Sequence, residues 1–136
     1  MVEIKPYAAL YEAKFFQFLR QQGPEWSCYY DEKHKDNYRL CLQKSIAYVL
    51  FFNNQIIGYI RAIEDPHFYI YICDLLVDIE HRGHGYGKML MTYIQSLYPL
   101  MDTFVMSDVD PYYIKQGYER EGSIFLLPKL ENEVIK

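Results

Sequence analysis

The residues best suited to chemistry form a short glycine-rich segment in the second half of the chain. Three glycines alternate there with other residues, and a cation stands at each end: Arg82, Gly83, His84, Gly85, Tyr86, Gly87 and Lys88. Glycines let the backbone approach a ligand closely, so that several N–H groups point at one anion. A helix that begins there adds the positive end of its dipole. The segment therefore predicts a site for a phosphate-like group.

Established phosphate-binding motifs do not fit this segment. A Walker A loop needs a glycine five residues before its Gly-Lys pair and Ser or Thr after it, but Arg82 and Met89 occupy those positions. A dinucleotide-binding loop has the spacing G-x-G-x-x-G, whereas the glycines here follow G-x-G-x-G. A glycine-rich turn without a ligand is the other alternative, although a mere turn does not need the flanking cations.

Predicted elements on both sides position the segment. Residues 67 or 68 to 77 are almost continuously apolar, which is typical of a strand covered on both faces. Apolar residues then recur at helical spacing over residues 86–98, which predicts a helix. Elsewhere the pattern predicts helices at 6–22, after Asp31 and at 111–116, a loop at 24–30, strands at 46–52, 55–64, 103–106 and 118–127, and a frayed tail at 131–136.

Composition limits the kind of protein this is. With 136 residues, 51% of them hydrophobic, the chain can bury a core as one α/β (α+β) domain spanning residues 1–136. Its formal charge is −4, and no basic cluster favours nucleic acid. The apolar runs are too short to cross a membrane, and the first six residues lack the apolar core of a signal peptide. We expect neither nucleic acid nor membrane as a partner.

Cysteine and histidine positions predict no metal. Cys28, Cys41 and Cys73 are widely spaced and include no C-x-x-C pair, so neither a disulfide framework nor a zinc site is expected. No two histidines have the spacing of metal ligands. The expected compartment is the reducing cytoplasm.

Two segments resemble motifs of the GNAT superfamily of N-acetyltransferases. Residues 75–87 are similar to its central motif, a strand that ends in an apolar-x-Val sequence and is followed by Arg-x-x-Gly-x-Gly. Residues 112–118, Tyr-Tyr-Ile-Lys-Gln-Gly-Tyr, are similar to the family's Phe-Tyr-x-Lys-x-Gly-Phe segment. One position departs: the family often has an Asn about seven residues before that Tyr, where this chain has Met106, so no such contact is expected.

The resemblance covers nearly the whole chain and implies its fold and co-substrate. It implies a mixed, mostly antiparallel, twisted sheet of about six or seven strands flanked by about four helices. It also implies acetyl-CoA as co-substrate, and the Cys and His positions described above add no metal to it. The backbone of Leu75, Leu76 and Val77 is then expected to bind the pantetheine arm like an added strand. The segment Arg82, Gly83, His84, Gly85, Tyr86, Gly87 and Lys88 is expected to hold the pyrophosphate, although Lys88 also fits a solvated helix face.

Acetyl transfer to an amine needs an acid for the departing thiolate and help in keeping the amine neutral. The resemblance implies that Tyr113 is the acid, the alternative being a packed aromatic residue. Asp74 stands in an otherwise apolar strand, so its carboxylate is either a general base or a structural hydrogen-bonding group. Glu64, Asp108 or a water chain are the other candidate bases.

The acceptor site is expected in the aromatic loop at residues 24–30. Trp26, Tyr29 and Tyr30, next to acidic residues, suit a cationic amine, although the rings also fit as a cap on the core. Together with these features, the resemblance implies an acetyl-CoA-dependent N-acetyltransferase that acts directly on a primary amine of a small molecule or peptide. The alternatives are a non-catalytic acyl-CoA-binding regulatory or sensor protein and, less well supported, a nucleotide-phosphate binder. Similar proteins are commonly paired, so a homodimer is a further expectation.

Overall fold

The computed structural model describes residues 1–130. It divides into two compact units, of which the first is residues 1–105 and the second begins at Met106. The predicted tail at residues 131–136 lies outside the described residues. A single domain over residues 1–136 stays a prediction.

A mixed five-stranded sheet runs through the first unit. Its strands are Val2–Pro6 (β1), Ile46–Phe52 (β2), Gln55–Asp65 (β3), Tyr69–Val77 (β4) and Asp102–Val105 (β5), and they lie side by side in chain order. Neighbours are antiparallel, except that β4 and β5 are parallel. The mixed, mostly antiparallel α/β fold is therefore confirmed, with five strands in the described residues rather than six or seven.

The chain start differs from the prediction. The helix predicted at residues 6–22 begins later, because residues 2–6 form the edge strand β1 and the Tyr7 N–H still donates to the Ala47 carbonyl at 2.9 Å. A 3-10 turn at Ala9–Tyr11 then leads into helix α1, Glu12–Gln21. Pro6 ends the edge strand, where a residue without an N–H is tolerated.

The aromatic segment predicted as a loop is helical. It consists of a 3-10 turn at Pro24–Trp26 and a one-turn helix α2, Ser27–Tyr30. Helices α3, Lys35–Lys44, and α4, Tyr86–Leu97, complete the first unit. A fifth short helix, α5, Asp110–Lys115 in the second unit, brings the described α-helices to five, against about four predicted. No helix in residues 1–130 is long and apolar enough to cross a membrane.

Strand β4 contributes to two cores because it contains a β-bulge. The register with β3 skips Cys73, which lies between the paired positions Ile72 and Asp74. One extra residue reverses the face to which all following side chains point. Leu76 accordingly belongs to the apolar cluster formed with α1 and α3, whereas Ile72 is buried outside that cluster.

The second unit contains one short helix, α5, Asp110–Lys115, with Pro111 in its first turn. A Schellman motif ends it, because the Tyr118 N–H donates to the Tyr113 carbonyl at 3.2 Å and Gly117 has φ 87°. The strand predicted at residues 118–127 is not formed. Residues 118–130 are all exposed and pair with no strand among the described residues. A strand requires such a partner, whatever its apolar content.

Candidate active site

The glycine segment forms an exposed loop that ends at the N-terminus of α4. Gly83 and Gly85 have φ angles of 85° and 79°, which residues with side chains rarely adopt. Gly85 is the N-cap residue, and no side chain caps the helix there. The Met89 N–H makes the first intrahelical hydrogen bond, to the Gly85 carbonyl at 3.0 Å. The N–H groups of residues 86–88 therefore have no acceptor within the helix. These groups and the helix dipole fit an anion such as a pyrophosphate.

Strand β5 pairs with only the first half of β4. Their parallel register starts with Tyr69 opposite Asp102 and ends with Ile72 opposite Val105. Within residues 1–130 no strand continues this pairing along residues 74–77. The second half of β4 therefore has a free edge that leads directly into the glycine loop. A free edge of this kind can bind an extended ligand through main-chain hydrogen bonds.

The ladder between β3 and β4 identifies the backbone groups on this edge. Gly58 lies opposite Val77, and the Asp78 N–H donates to the Ile57 carbonyl at 2.7 Å. In an antiparallel ladder this makes Gly58 and Val77 a non-hydrogen-bonded pair. The N–H and C=O of Val77 consequently point away from β3, as do those of Leu75 two residues earlier.

The other residues predicted to bind the cofactor occupy different positions. Leu76 lies between Leu75 and Val77, so its backbone groups face β3, and its side chain is buried. Arg82 Nε donates to the Val77 carbonyl at 2.9 Å, which occupies one acceptor of the free edge. The side chain of Arg82 is exposed and so is that of Lys88. His84 is exposed and stacks on Tyr86, with ring centroids 5.6 Å apart.

Asp74 is the centre of a buried polar cluster. It is 5% exposed, and its Oδ2 accepts from Arg61 Nε at 2.5 Å and from the Tyr38 hydroxyl at 2.6 Å. The Tyr59 hydroxyl lies 2.8 Å from the Tyr38 hydroxyl. Arg61 Nη1 also donates to Cys41 Sγ at 3.1 Å. The carboxylate is thus both charge-paired and hydrogen-bonded, the arrangement expected of a structural group.

The electrostatics of this cluster keep its phenols protonated. Burial raises the pKa of Tyr38 above the usual tyrosine value, and the adjacent Asp74 carboxylate raises it further. Burial and then Asp74 also raise the pKa of Tyr29. Both side chains are therefore neutral hydrogen-bond donors at physiological pH.

The predicted acceptor residues lie next to this cluster. Trp26, Tyr29 and Tyr30 are half-buried and pack against the apolar core, as the alternative interpretation of these rings required. Tyr29 connects the two groups, because its ring centroid is 5.4 Å from that of Trp26 and 4.7 Å from that of Tyr38. The Tyr30 hydroxyl donates to the Gly23 carbonyl at 3.2 Å. Each ring therefore has a structural role in addition to the predicted binding role.

Tyr113 belongs to the second unit, where it lies half-buried on α5. Its ring centroid is 5.0 Å from that of Tyr112 and 6.4 Å from that of Tyr118. Burial raises the pKa of Tyr113 to about 12, with Tyr112, Asp108 and Tyr118 contributing. The phenol therefore keeps its proton at neutral and mildly alkaline pH.

Sequence reasoning missed the partners of Asp74. Arg61 and Tyr38 stand 13 and 36 positions before it in the chain. A charged residue in the apolar strand β3 was the only available signal for Arg61, and Tyr38 fitted its helix as an ordinary apolar-face residue. The three cysteines are free thiols. Within residues 1–130, His, Cys, Asp and Glu form no cluster that could hold a metal ion.

The sequence matches the Acetyltransferase (GNAT) family over residues 8–111. This span exceeds half of the chain and contains the glycine loop, so the chain belongs to that family, as the two motifs predicted. Asp74 lies within the matched span and Tyr113 lies beyond it. No curated protein sequence matches the chain.

Solved structures of acetyltransferases share the fold at low sequence identity. An aminoglycoside acetyltransferase from an uncultured soil metagenomic sample is 22% identical with a TM-score of 0.74, over 96% of this chain and 99% of the other. PaiA N-acetyltransferase from Thermoplasma acidophilum, in complex with coenzyme A, is 14% identical with a TM-score of 0.74, over 91% and 93%. The ribosomal-protein-alanine N-acetyltransferase from Brucella melitensis is 14% identical with a TM-score of 0.71, over 95% and 100%.

Proposed function

We propose that this protein is an acetyl-CoA-dependent N-acetyltransferase that transfers the acetyl group directly to a primary amine of a small molecule or peptide. The observation that carries the proposal is the free edge of β4, which runs into a glycine loop at an uncapped helix N-terminus. That arrangement offers main-chain groups to an extended arm and N–H groups to a pyrophosphate. Membership of the acetyltransferase family supports the same function.

The residues present fit coenzyme A. The Leu75 N–H and C=O and the Val77 N–H are the groups of the free edge that would hold the pantetheine arm. The N–H groups of residues 86–88 would hold the pyrophosphate, with charge from the exposed Arg82 and Lys88. When bound, acetyl-CoA supplies the thioester from which the acetyl group is transferred.

Tyr113 is the proposed acid. A phenol with a pKa of about 12 holds its proton at neutral pH and can donate a hydrogen bond to the leaving sulfur. Full proton transfer to the thiolate would be uphill, because the pKa of Tyr113 lies above that of an ordinary thiol. We therefore assign Tyr113 the role of a hydrogen-bond donor that stabilises the thiolate.

Asp74 is the candidate general base that the sequence favours, with Glu64, Asp108 or a water chain as alternatives. Proton uptake by Asp74 would leave the Arg61 guanidinium without its carboxylate partner, in a side chain that is only 12% exposed. Glu64 and Asp108 are exposed and free of this conflict. The contacts of Asp74 thus support the structural alternative, and direct attack by an amine that loses its proton to water becomes the simplest chemistry.

Trp26, Tyr29 and Tyr30 are the proposed acceptor-binding residues. Their half-buried rings present aromatic surface in a segment that also contains or adjoins the exposed acidic residues Glu25 and Glu32, which suits a cationic amine. The Arg61–Asp74 pair is neutral overall and adds no attraction for a cation. Aromatic contact is therefore expected to contribute more than charge to acceptor binding.

An acyl-CoA-binding regulatory or sensor protein is the second candidate function. The observation in its favour is that Asp74, the buried carboxylate among the candidate bases, is already ion-paired with Arg61 and hydrogen-bonded to Tyr38. Both candidates share the cofactor site, so only acyl transfer separates them. Acetyl-CoA consumption across a panel of amines no faster than spontaneous hydrolysis would establish the sensor.

Calorimetry with acetyl-CoA and with CoA tests the cofactor site. We expect binding in the micromolar range, and Gly85→Ala should weaken it because Gly85 has φ 79°. The matched control is Gly122→Ala, an exposed position where an added Cβ meets nothing within 4 Å. If the wild-type protein binds neither compound, the proposed function is wrong. Binding of ATP in competition with acetyl-CoA, without acyl transfer, would instead favour a nucleotide-phosphate binder.

A further inference from the structure

Asp78 follows β4 directly and precedes the glycine loop by four residues. Both oxygens of its carboxylate are used. Oδ1 accepts from Gln22 Nε2 at 2.8 Å, and Oδ2 accepts from the Glu80 N–H at 3.2 Å and from His81 Nδ1 at 3.0 Å. Burial alone would raise the pKa of Asp78, but the hydrogen bonds from Gln22, His81 and the Glu80 N–H together hold this pKa below its usual value. The side chain is therefore a charged acceptor with three separate donors.

These contacts connect the chain before the loop to rigid elements. Gln22 is the C-cap residue of α1, and its Nε2 also donates to the Phe18 carbonyl within that helix at 3.3 Å. The Asp78 N–H donates to Ile57 on β3 at 2.7 Å. Asp78 is thus fixed by its side chain to a helix and by its backbone to the sheet.

The same residue shapes the turn into the loop. Asp78 is the N-cap of the 3-10 turn Ile79–His81, and its carbonyl accepts from the His81 N–H at 2.9 Å. Beyond the turn, an added Cβ at Gly83 or Gly85 would meet nothing within 4 Å, so packing does not fix the glycines themselves. The loop is consequently held at its two ends, by α4 on one side and by Asp78 on the other.

We propose that Asp78 is a positioning residue for the cofactor: by anchoring the turn to Gln22 at the end of α1, it sets the direction in which the glycine loop presents its N–H groups to the pyrophosphate. Asp78 itself does not contact coenzyme A in this role. The inference rests on the proposed function, because it names a determinant of the same cofactor site.

The test is calorimetry of CoA binding, well below the unfolding temperature, with variants of both partners. Asp78→Asn removes the charge and, with its amide oxygen kept towards the Glu80 N–H and His81, places an amide donor opposite the donor Gln22 Nε2, so we expect the Kd to rise about tenfold. Gln22→Ala removes one contact and should raise the Kd about threefold. The double variant Gln22→Glu with Asp78→Asn places an acceptor opposite an amide donor and should recover part of the lost affinity. Glu80→Gln is the control, because only the backbone of Glu80 contacts Asp78.

The outcomes separate this inference from the function on which it depends. If Asp78→Asn and Gln22→Ala lower Tm while the Kd stays within twofold of the wild type, Asp78 is only a stabilising residue and the inference is overturned. Gln22→Ala keeps the test decisive should Asp78→Asn fail to fold. If the wild-type protein does not bind CoA, the proposed function falls, and the inference falls with it.

Discussion

Asp74 and Arg61 lie opposite each other on β4 and β3, so the ion pair joins two strands at the point where the β4 bulge ends. Both side chains are largely buried, at 4% and 12% exposure. Two charges taken from water are tolerated only if each keeps its partner. Removing either one is therefore a test of stability as well as of catalysis.

Asp74→Asn should lower the free energy of unfolding by about 3–5 kcal/mol, because it leaves the Arg61 charge buried without a counter-ion. Tyr38→Phe keeps the ion pair but removes the hydrogen bond to the charged Asp74 and the one shared with the buried Tyr59 hydroxyl, so a loss of at least about 1.5–3 kcal/mol is expected. Urea unfolding measures both, with Tyr48→Phe as a control, since no hydrogen bond of its hydroxyl is found within residues 1–130. A pH–rate profile of folded Asp74→Asn that keeps the wild-type shape would remove Asp74 as base.

Tyr113→Phe should lower kcat by about 10²-fold, because it deletes the donor that stabilises the thiolate, and it should leave the Kd for CoA unchanged. Tyr112→Phe is the matched control, since it removes a neighbouring phenol on the same helix. Steady-state kinetics and calorimetry give the two quantities. Equal kcat values for the two variants would contradict the role of Tyr113.

The free half of β4 is the element on which the cofactor site depends. Within the sheet it pairs only with β3, and Gly58 lies opposite Val77 in that pairing. A Cβ at Gly58 would lie 3.0 Å from the Leu76 carbonyl oxygen, which is backbone and cannot rotate away. The absence of a side chain at Gly58 therefore lets β3 and β4 pair closely beside the free edge.

Gly58→Ala should destabilise the protein by about 1–3 kcal/mol through overpacking and weaken CoA binding, because β4 must shift. Gly122→Ala adds the same methyl group at an open position and should change neither quantity. Thermal unfolding and calorimetry of the two variants provide the comparison. An unchanged Kd for Gly58→Ala would show that the free edge does not hold the pantetheine arm.

The sequence predicted the elements whose signals are local. Strands β2 and β3 were found almost to the residue, because β-branched and aromatic runs flank a turn in which Asn53 and Asn54 both have positive φ. Strand β1 was missed because it is short and because its last residue, Pro6, also fits the first turn of a helix, where the prediction placed it. The bulge at Cys73 could not be predicted, because buried and half-buried residues alternate along the whole of β4. The buried side chains nevertheless point to one face of the sheet before the bulge and to the other face after it.

The candidate site was predictable in its backbone part but not in its supporting contacts. Glycine spacing pointed to the loop at residues 82–88, because positive φ angles require that residue type. The anchor of the loop, from Gln22 to Asp78, joins positions 56 residues apart, and nothing local to either residue signals it. The same holds for Arg61 and Asp74, whose pairing depends on a strand register.

At the scale of the whole molecule, the chain is rich in tyrosine, with fifteen in 136 residues. Burial raises the pKa of nine of them: Tyr7, Tyr29, Tyr38, Tyr48, Tyr59, Tyr71, Tyr98, Tyr112 and Tyr113. A raised folded-state pKa means that folding favours the protonated form. The stabilisation is complete below the unfolded value of about 10 and is lost as the pH rises above it.

The protein should therefore unfold cooperatively in alkali, and a group of tyrosines should ionise only with that transition. Ultraviolet absorbance of tyrosinate and far-ultraviolet circular dichroism, recorded together from neutral pH upwards, measure the two events. The urea-unfolded protein serves as the control, because tyrosine side chains in an unfolded chain titrate near pH 10. Ionisation of all fifteen side chains near pH 10 in a still-folded protein would contradict the burial described here.

The bulge at Cys73 has an evolutionary consequence. This single extra residue shifts the alternation of side chains along β4. Residues of the same parity therefore point to one face of the sheet before Cys73 and to the other face after it. Substitutions at position 73 keep this shift in alternation. A one-residue deletion there would instead turn Asp74 towards the opposite face of the sheet and leave Arg61 without its partner. In descendants of this gene, variation at position 73 should therefore take the form of exchanged residues and not of altered length.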